Sequence, residues 1–192
     1  MKLRLDTLPH MPRAALSRLM LRPFTRADAP ALCAYRNDPA VARYQGWNLP
    51  YALADAEALI TQMQGRTLGQ DGWTQVAFAD ATSGKLLGDF AVRGMGQQAE
   101  LGVTLAPTAQ GRGLASEGLR LVLGQIFGSL GLHRVYASID PRNQAAAALL
   151  LRAGFRHEGT TRQSYWHRGE WTDDATYGLL YSEWQAQTPQ EK

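Results

Sequence analysis

The sequence predicts an α+β domain, a mixed and mostly antiparallel sheet flanked by helices, and three observations predict it. Short apolar runs separated by turn residues fill positions 73–105. One long amphipathic stripe begins at Leu114, and after it strand and helix patterns alternate before a last pair of strand-like segments. At 192 residues the chain has the length of one domain, and 45% hydrophobic against 19% charged residues provides for a single core.

Residues 1–15 lack periodicity, hold two prolines and read as a lead-in. The domain is therefore drawn as 16–184, with a polar tail at 185–192. Leu19, Met20 and Leu21, between Arg18 and Arg22, form a first strand stopped by Pro23. Thr25 to Asp28 offer caps for a short helix over 29–35, which tolerates Pro30 in its first turn and ends near Asn37-Asp38-Pro39. Over 52–64, Leu53, Ala56, Leu59, Ile60 and Met63 recur at spacings of three and four, and Gly65 stands where a C-cap glycine belongs. Segments 73–79 and 86–92 make a hairpin about 80–84, and 99–105 adds a strand after the turn residues Gly94, Gly96, Gln97 and Gln98.

The stripe of Ala115, Leu119, Val122, Ile126 and Leu130, widened by Leu123 and Phe127, predicts one core-packed helix over 114–130. Residues 133–139 read as a strand and 143–153 as a helix ended by Gly154. Segments 160–167 and 175–181 close the chain as a hairpin about Arg168-Gly169-Glu170.

Composition narrows the function. No stretch approaches 18 apolar residues, and Arg4, Asp6, Arg13 and Arg18 occupy the place of a signal peptide's apolar run, so a cytoplasmic protein without a membrane partner is expected. The single cysteine, Cys33, has no disulfide partner and reads as a structural thiol. The four histidines form no zinc spacing with it, so no metal is expected. Twenty basic against 17 acidic residues, with no run of five like charges, argues against a nucleic-acid partner.

The informative stretch is Leu101-Gly102-Val103-Thr104-Leu105-Ala106-Pro107, then Thr108-Ala109-Gln110-Gly111-Arg112-Gly113-Leu114-Ala115-Ser116. A strand feeds a glycine-bearing turn that opens the long helix. The first amides of such a helix have no intrahelical acceptors and stand at the positive end of its dipole, which suits a phosphate or pyrophosphate. A dinucleotide fold is one reading, with Asp140 as the ribose-binding acid. Against it, Ser116 occupies the third glycine position, and the motif arrives after some ninety residues of helices and antiparallel hairpins rather than at the start.

Gln110-Gly111-Arg112-Gly113-Leu114-Ala115, followed by Asp140-Pro141-Arg142-Asn143 and, one helix later, Ala153-Gly154-Phe155, resembles the GNAT superfamily of acyl-CoA-dependent N-acetyltransferases. That family's phosphate loop has the form Gln/Arg-x-x-Gly-x-Gly/Ala. Arg18-Leu19-Met20-Leu21-Arg22-Pro23-Phe24, Asn37-Asp38-Pro39 and the segment 174–184 are similar to its branch of ribosomal-protein N-terminal acetyltransferases. The likeness spans residues 16–184.

The resemblance implies a central pair of parallel strands that splay apart to hold acetyl-CoA. Its pyrophosphate would sit on the amides of Gly111, Arg112, Gly113, Leu114, Ala115 and Ser116, and its pantetheine arm would run along Val103 to Leu105. Gln110 opens the loop motif, and the Arg112 guanidinium would either meet a phosphate oxygen or stay in solvent. Asn143 matches the family asparagine that bonds the cofactor arm, and it also stands where an N-cap belongs. Glu100 matches the acidic position that serves as base, directly or through water. Tyr44 and Trp47, with Tyr165 and Trp166, would wall the acceptor pocket.

The reaction implied is acetyl transfer to a primary amine, either a protein N-terminus or a small amine such as an antibiotic or polyamine. A homodimer is the family's expectation. The sequence departs from the pattern where many members carry a tyrosine acid, here Leu150, and where the ribosomal-protein branch carries a serine, here Ala146. A thiol with pKa near the cysteine value of about 8.5 leaves without much help, so the departure does not forbid catalysis. The alternatives are a non-catalytic acyl-CoA-binding module and a transferase of a larger acyl group such as succinyl.

The cofactor expectation has a direct check in thermal unfolding. Acetyl-CoA and CoA at about 100 times Kd should each stabilise the protein by about 2.7 kcal/mol, several degrees in Tm, while NAD shifts nothing. A response to NAD alone restores the dinucleotide reading.

Overall fold

The computed structural model describes residues 18–187 and a two-residue strand, β1 (Leu3–Arg4). The elements continue as β2 (Leu19–Arg22), α1 (Ala29–Asn37), α2 (Pro39–Ala42), α3 (Leu53–Met63), β3 (Thr67–Leu68), β4 (Gly72–Asp80) and β5 (Leu86–Met95). Then come β6 (Gln98–Leu105), α4 (Leu114–Leu123), β7 (Arg134–Ile139), α5 (Gln144–Arg152), β8 (Arg156–His167), β9 (Glu170–Leu180) and α6 (Tyr181–Gln187). Seven strands form one sheet in the order β2-β4-β5-β6-β7-β9-β8, and β1 pairs with β3 apart from it.

Every neighbouring pair in the large sheet is antiparallel except β6 and β7. Those two run parallel because the chain between them crosses over through α4, the connection that parallel strands require. Their ladder has three rungs, Gln98↔Arg134, Ala99↔Val135 and Glu100↔Tyr136. Beyond that last rung β6 continues to Leu105 and β7 to Ile139 without pairing to each other, so the centre of the sheet is open there.

Period-two alternation gives the sheet two buried faces. On one face Phe78, Phe90, Val92 and Leu101 pack with Leu119, Val122 and Ile126 from the α4 side. On the other, Ala77 and Leu86 meet Phe24, Leu32, Ile60 and Tyr35. Helix α4 lies so close to the sheet that a Cβ on Gly118 would sit 2.3 Å from Cε2 of Phe78.

The expected antiparallel meander and the parallel crossover are both present. The helix expected over 114–130 is not one regular helix: α4 ends at Leu123 and a π-helical turn, Gly124–Ser129, follows. Gln125, Ile126 and Phe127 are buried in that wider turn. Phe127 there meets Tyr181 and Trp184 of α6, at ring distances of 6.1 and 5.4 Å, where the sequence pattern suggested a strand end and tail. The short α2 was also unforeseen, although Asp38-Pro39 carries its signal: Asp38 caps Ala40 and Val41 at 2.9 and 3.1 Å, with proline first in the helix. Strands β5, β8 and β9 are longer than their apolar runs. Of the expected lead-in only β1 is described, and it pairs Leu3 with Leu68 and Arg4 with Thr67; the tail beyond Gln187 lies outside the described residues.

The contact at Gly118 yields a packing test. Gly118→Ala should lose about 2 kcal/mol in urea unfolding, because overpacking against Phe78 outweighs the roughly 1 kcal/mol gained in helix propensity. Gly124→Ala, whose Cβ meets nothing within 4 Å, should be neutral or stabilising in the same measurement.

Candidate active site

The open segment between β6 and β7 is a cleft of about 90 Å³ whose walls include Leu101, Val103, Ala137, Ile139, Asn143 and Leu150. It is apolar where the two strands diverge and polar at its ends. Leu105, expected along the same wall, packs against the α4-side core. Ala146 also lines the cleft, and Leu150 is 4% exposed, so neither position presents a proton donor to it.

At the end of β6 the chain turns through Pro107–Ala109 and enters α4. Gly111 and Gly113 have φ of +70° and +75°, a left-handed conformation costly for other residues, and the space where their Cβ atoms would lie is empty. Leu114, Ala115 and Ser116 occupy the first turn, ahead of the Glu117 amide, which bonds the Gly113 carbonyl at 3.3 Å. Their amides therefore have no intrahelical acceptor. The Gln110 amide side chain donates to the Leu105 carbonyl at 3.1 Å and ties the loop to its strand. The exposed Arg112 shares a small cavity with Arg18 and Asp80 on the β4–β5 side of the loop. Asn143 caps α5, its Oδ1 accepting from the Ala146 amide at 3.2 Å, while the residue also lines the cleft.

A second cavity, of about 190 Å³, adjoins the cleft through the shared residues Tyr44, Ser138, Ile139 and Asp140. Its wall carries four carboxylates: Glu100, Asp140, Asp173 and Asp174. Glu100 is paired with Arg93 at 3.5 Å and accepts from the Tyr136 hydroxyl at 3.3 Å. A guanidinium hydrogen bond from Arg142 holds the Asp140 carboxyl below the usual range. Ser138 donates to Asp174 at 2.5 Å, and Asp173 accepts from the Gln163 amide at 2.8 Å. Among the described residues no cation pairs with Asp173 or Asp174. Tyr165 lines this cavity with His167, whereas the exposed Trp166 stacks edge-on with Trp171 at 5.3 Å and lines neither space.

Trp47 faces a third and larger hollow of about 680 Å³, between α3 and the open end of β6. Its indole is committed locally. Nε1 donates to the Arg36 carbonyl at 3.0 Å, and the ring covers the Arg36 guanidinium, 4.6 Å from its centroid, with Tyr51 on another side at 4.9 Å. Arg36 in turn pairs at 3.6 Å with Asp89, which also accepts a 2.5 Å bond from the Tyr35 hydroxyl. Burial pushes the Asp89 carboxyl up despite Arg36, and burial followed by the Asp89 charge pushes Tyr35 well up. Cys33, half-buried, donates its thiol to the Tyr51 carbonyl at 3.2 Å, as a structural thiol does.

Sequence reasoning missed Tyr136, Ser138, Asp174 and the Arg36–Asp89 pair. Alternation along 134–139 puts Tyr136 and Ser138 on one face, but only the β6–β7 register puts that face beside Glu100.

A helix start with open amides at one end of a split parallel pair, and a carboxylate-lined cavity at its side, suit an acyl-CoA-dependent acyltransferase. The model of the acetyltransferase (GNAT) domain matches residues 18–156, and the chain belongs to that family of acetyl-CoA-dependent N-acetyltransferases. It is 31% identical to the probable N-acetyltransferase YjcK of Bacillus subtilis over 134 residues, 68% of this chain and 74% of that one. A spermidine N-acetyltransferase from Vibrio cholerae, solved with CoA and spermine, superposes with TM-score 0.76 at 22% identity, covering 88% of this chain and 99% of that chain. RimJ of Mycobacterium smegmatis, solved with CoA-disulfide, superposes with TM-score 0.74 at 22% identity, covering 86% and 83%. No group of side chains among the described residues has metal-ligand geometry, and no described helix is long and apolar enough to cross a membrane.

The Arg36–Asp89 pair underlies the loop that carries Tyr44 and Trp47, and its removal is measurable. Arg36→Met should cost about 3 kcal/mol, because it leaves Asp89 buried without its cation. A carboxyl with a raised folded pKa favours the fold below its unfolded pKa and loses that contribution as pH rises. The deficit in urea unfolding should therefore be smaller at about pH 5 than at about pH 8.

Proposed function

We propose that this enzyme acetylates a cationic primary amine that enters through the carboxylate-lined cavity, with Glu100 taking the proton. The observation that carries the reading is the wall shared by Tyr44, Ser138, Ile139 and Asp140, which joins the cleft to that cavity beside Glu100. In this reading the amides of residues 111–116 receive the pyrophosphate, where left-handed glycines leave the backbone open. Val103 lines the arm's path, and Asn143 keeps its Nδ2 for the arm while its Oδ1 caps α5. Arg112, beside Asp80, takes a peripheral part.

Acetyl-CoA supplies an activated thioester, and the protein's share is to orient the amine and remove its proton. At pH 7 an α-amino group with pKa about 8 is roughly a tenth neutral, and a lysine-like amine near 10.4 less than about one part in a thousand. Both arrive mainly as cations. Asp173 and Asp174 concentrate such cations at the mouth, and Glu100 takes one proton from the ammonium; the neutral nitrogen then bonds to the acyl carbon as the carbon–sulfur bond breaks, and its surplus proton leaves with the sulfur as the thiol. The relatives' names include both a small polyamine and the RimJ type, and the cavity's charge suits either a polyamine or a protein N-terminus.

The test is thiol release measured with spermine and with an alanine-initiated hexapeptide. Glu100→Gln should lower kcat about a hundredfold while calorimetry finds acetyl-CoA binding unchanged. A wild-type protein that binds acetyl-CoA and transfers to neither amine is a non-catalytic acyl-CoA-binding module, and a Glu100→Gln variant of full activity removes Glu100 from the reaction.

A further inference from the structure

Glu100 occupies the last rung before the strands part, and it has a neighbour in register on each side: Tyr136 on β7 and Arg93 on β5. Both converge on the same oxygen. The Tyr136 hydroxyl donates to Oε2 at 3.3 Å, and Nη1 of Arg93 lies 3.5 Å from that atom. Oε1 has no partner among the described residues, and the residue lines the acidic cavity.

Tyr136 is itself held in place. The Arg134 guanidinium covers its ring at 5.0 Å, and the Arg134 Nη1 is fixed by Gln98 at 3.1 Å. Burial first, and the Glu100 charge second, push the Tyr136 hydroxyl's pKa up, so it remains a hydrogen-bond donor wherever the enzyme operates. Arg93 is half exposed, with 47% of its side chain in solvent, and would swing freely if Glu100 did not retain it.

We propose that Tyr136 and Arg93 are positioning residues that hold the Glu100 carboxylate by Oε2, so that Oε1 is the atom that takes the amine proton. The proposal rests on Glu100 as the base. A carboxylate on a flexible side chain samples several rotamers, and a base that must be oriented during each turnover gives up part of the advantage of a fixed site. The clamp removes that freedom in the ground state. It also explains why the two residues that flank Glu100 in the sheet are both donors, since a like charge or an apolar side chain there would leave the carboxylate free to turn away.

Kinetics of Tyr136→Phe, Arg93→Gln, Arg93→Lys, Glu100→Gln and the double variant Glu100→Gln/Tyr136→Phe test this, with spermine and the alanine-initiated hexapeptide as acceptors. Tyr136→Phe should lower kcat about tenfold with both KM values unchanged, the loss of one hydrogen bond to a charged group. Arg93→Lys should keep most of the activity that Arg93→Gln loses. In the Glu100→Gln background, Tyr136→Phe should cost nothing further, because it acts only through Glu100. The proposal is overturned if Tyr136→Phe costs the same factor in both backgrounds, or if it raises KM and leaves kcat intact; a fold defect would show as additive losses with a lowered Tm. If Glu100→Gln alone keeps the wild-type kcat, or the wild type turns over neither acceptor, the base assignment itself fails and takes the clamp with it.

Discussion

The parting of β6 and β7 after a three-rung parallel ladder is the constraint on which the rest of the site depends. A sheet interior normally satisfies its backbone groups on both sides of every strand. Here residues 101–105 keep their β5 partners and have none toward β7, which leaves a row of peptide groups beside an apolar slot. Such an edge at the centre of a sheet suits an extended ligand that carries amides of its own. The α4 crossover makes the strands parallel, and the same crossover puts the helix start, with its free amides, at the end of the slot.

The two faces of the sheet divide the labour electrostatically. The face under α4 is almost wholly apolar, and Gly118 lets the helix settle on Phe78. The other face carries Arg93, Glu100, Tyr136, Ser138, Asp89 and Thr104, polar groups that are costly to bury unless bonded. Each polar cluster there has its own closure. Asp89 is closed by Arg36 and Tyr35 and supports the loop of Tyr44 and Trp47; Glu100 is closed on one oxygen only. The difference separates a cluster whose carboxylate is enclosed from one that leaves a carboxylate oxygen without a partner among the described residues.

Much of the architecture was legible in local pattern. Short apolar runs parted by turn residues between positions 73 and 105 marked the meander, and the stripe from Leu114 marked the crossover helix. Where the reading failed, a tertiary contact had overridden the local signal. The stripe looked continuous to Leu130 because its apolar positions are continuous, yet the regular helix ends at Leu123, and Phe127 packs on Trp184 from within the wider turn. Residues 156–159 of β8 lack an apolar run because the strand lies at the sheet edge with exposed side chains, so hydrophobic periodicity had nothing to report.

By itself the sequence determined what depends on neighbours in the chain: the glycine turn before α4, the cap at Asn143, the meander, and a family resemblance borne by short motifs. These are set by local backbone preference and by side chains a few residues apart. The tertiary structure alone decided which carboxylates share a cavity, that Trp47 is spent on Arg36, and that Tyr136 and Arg93 meet on one oxygen of Glu100. Those facts depend on strand register and on contacts between residues far apart in the chain. A one-residue slip of register would send every such side chain to the opposite face.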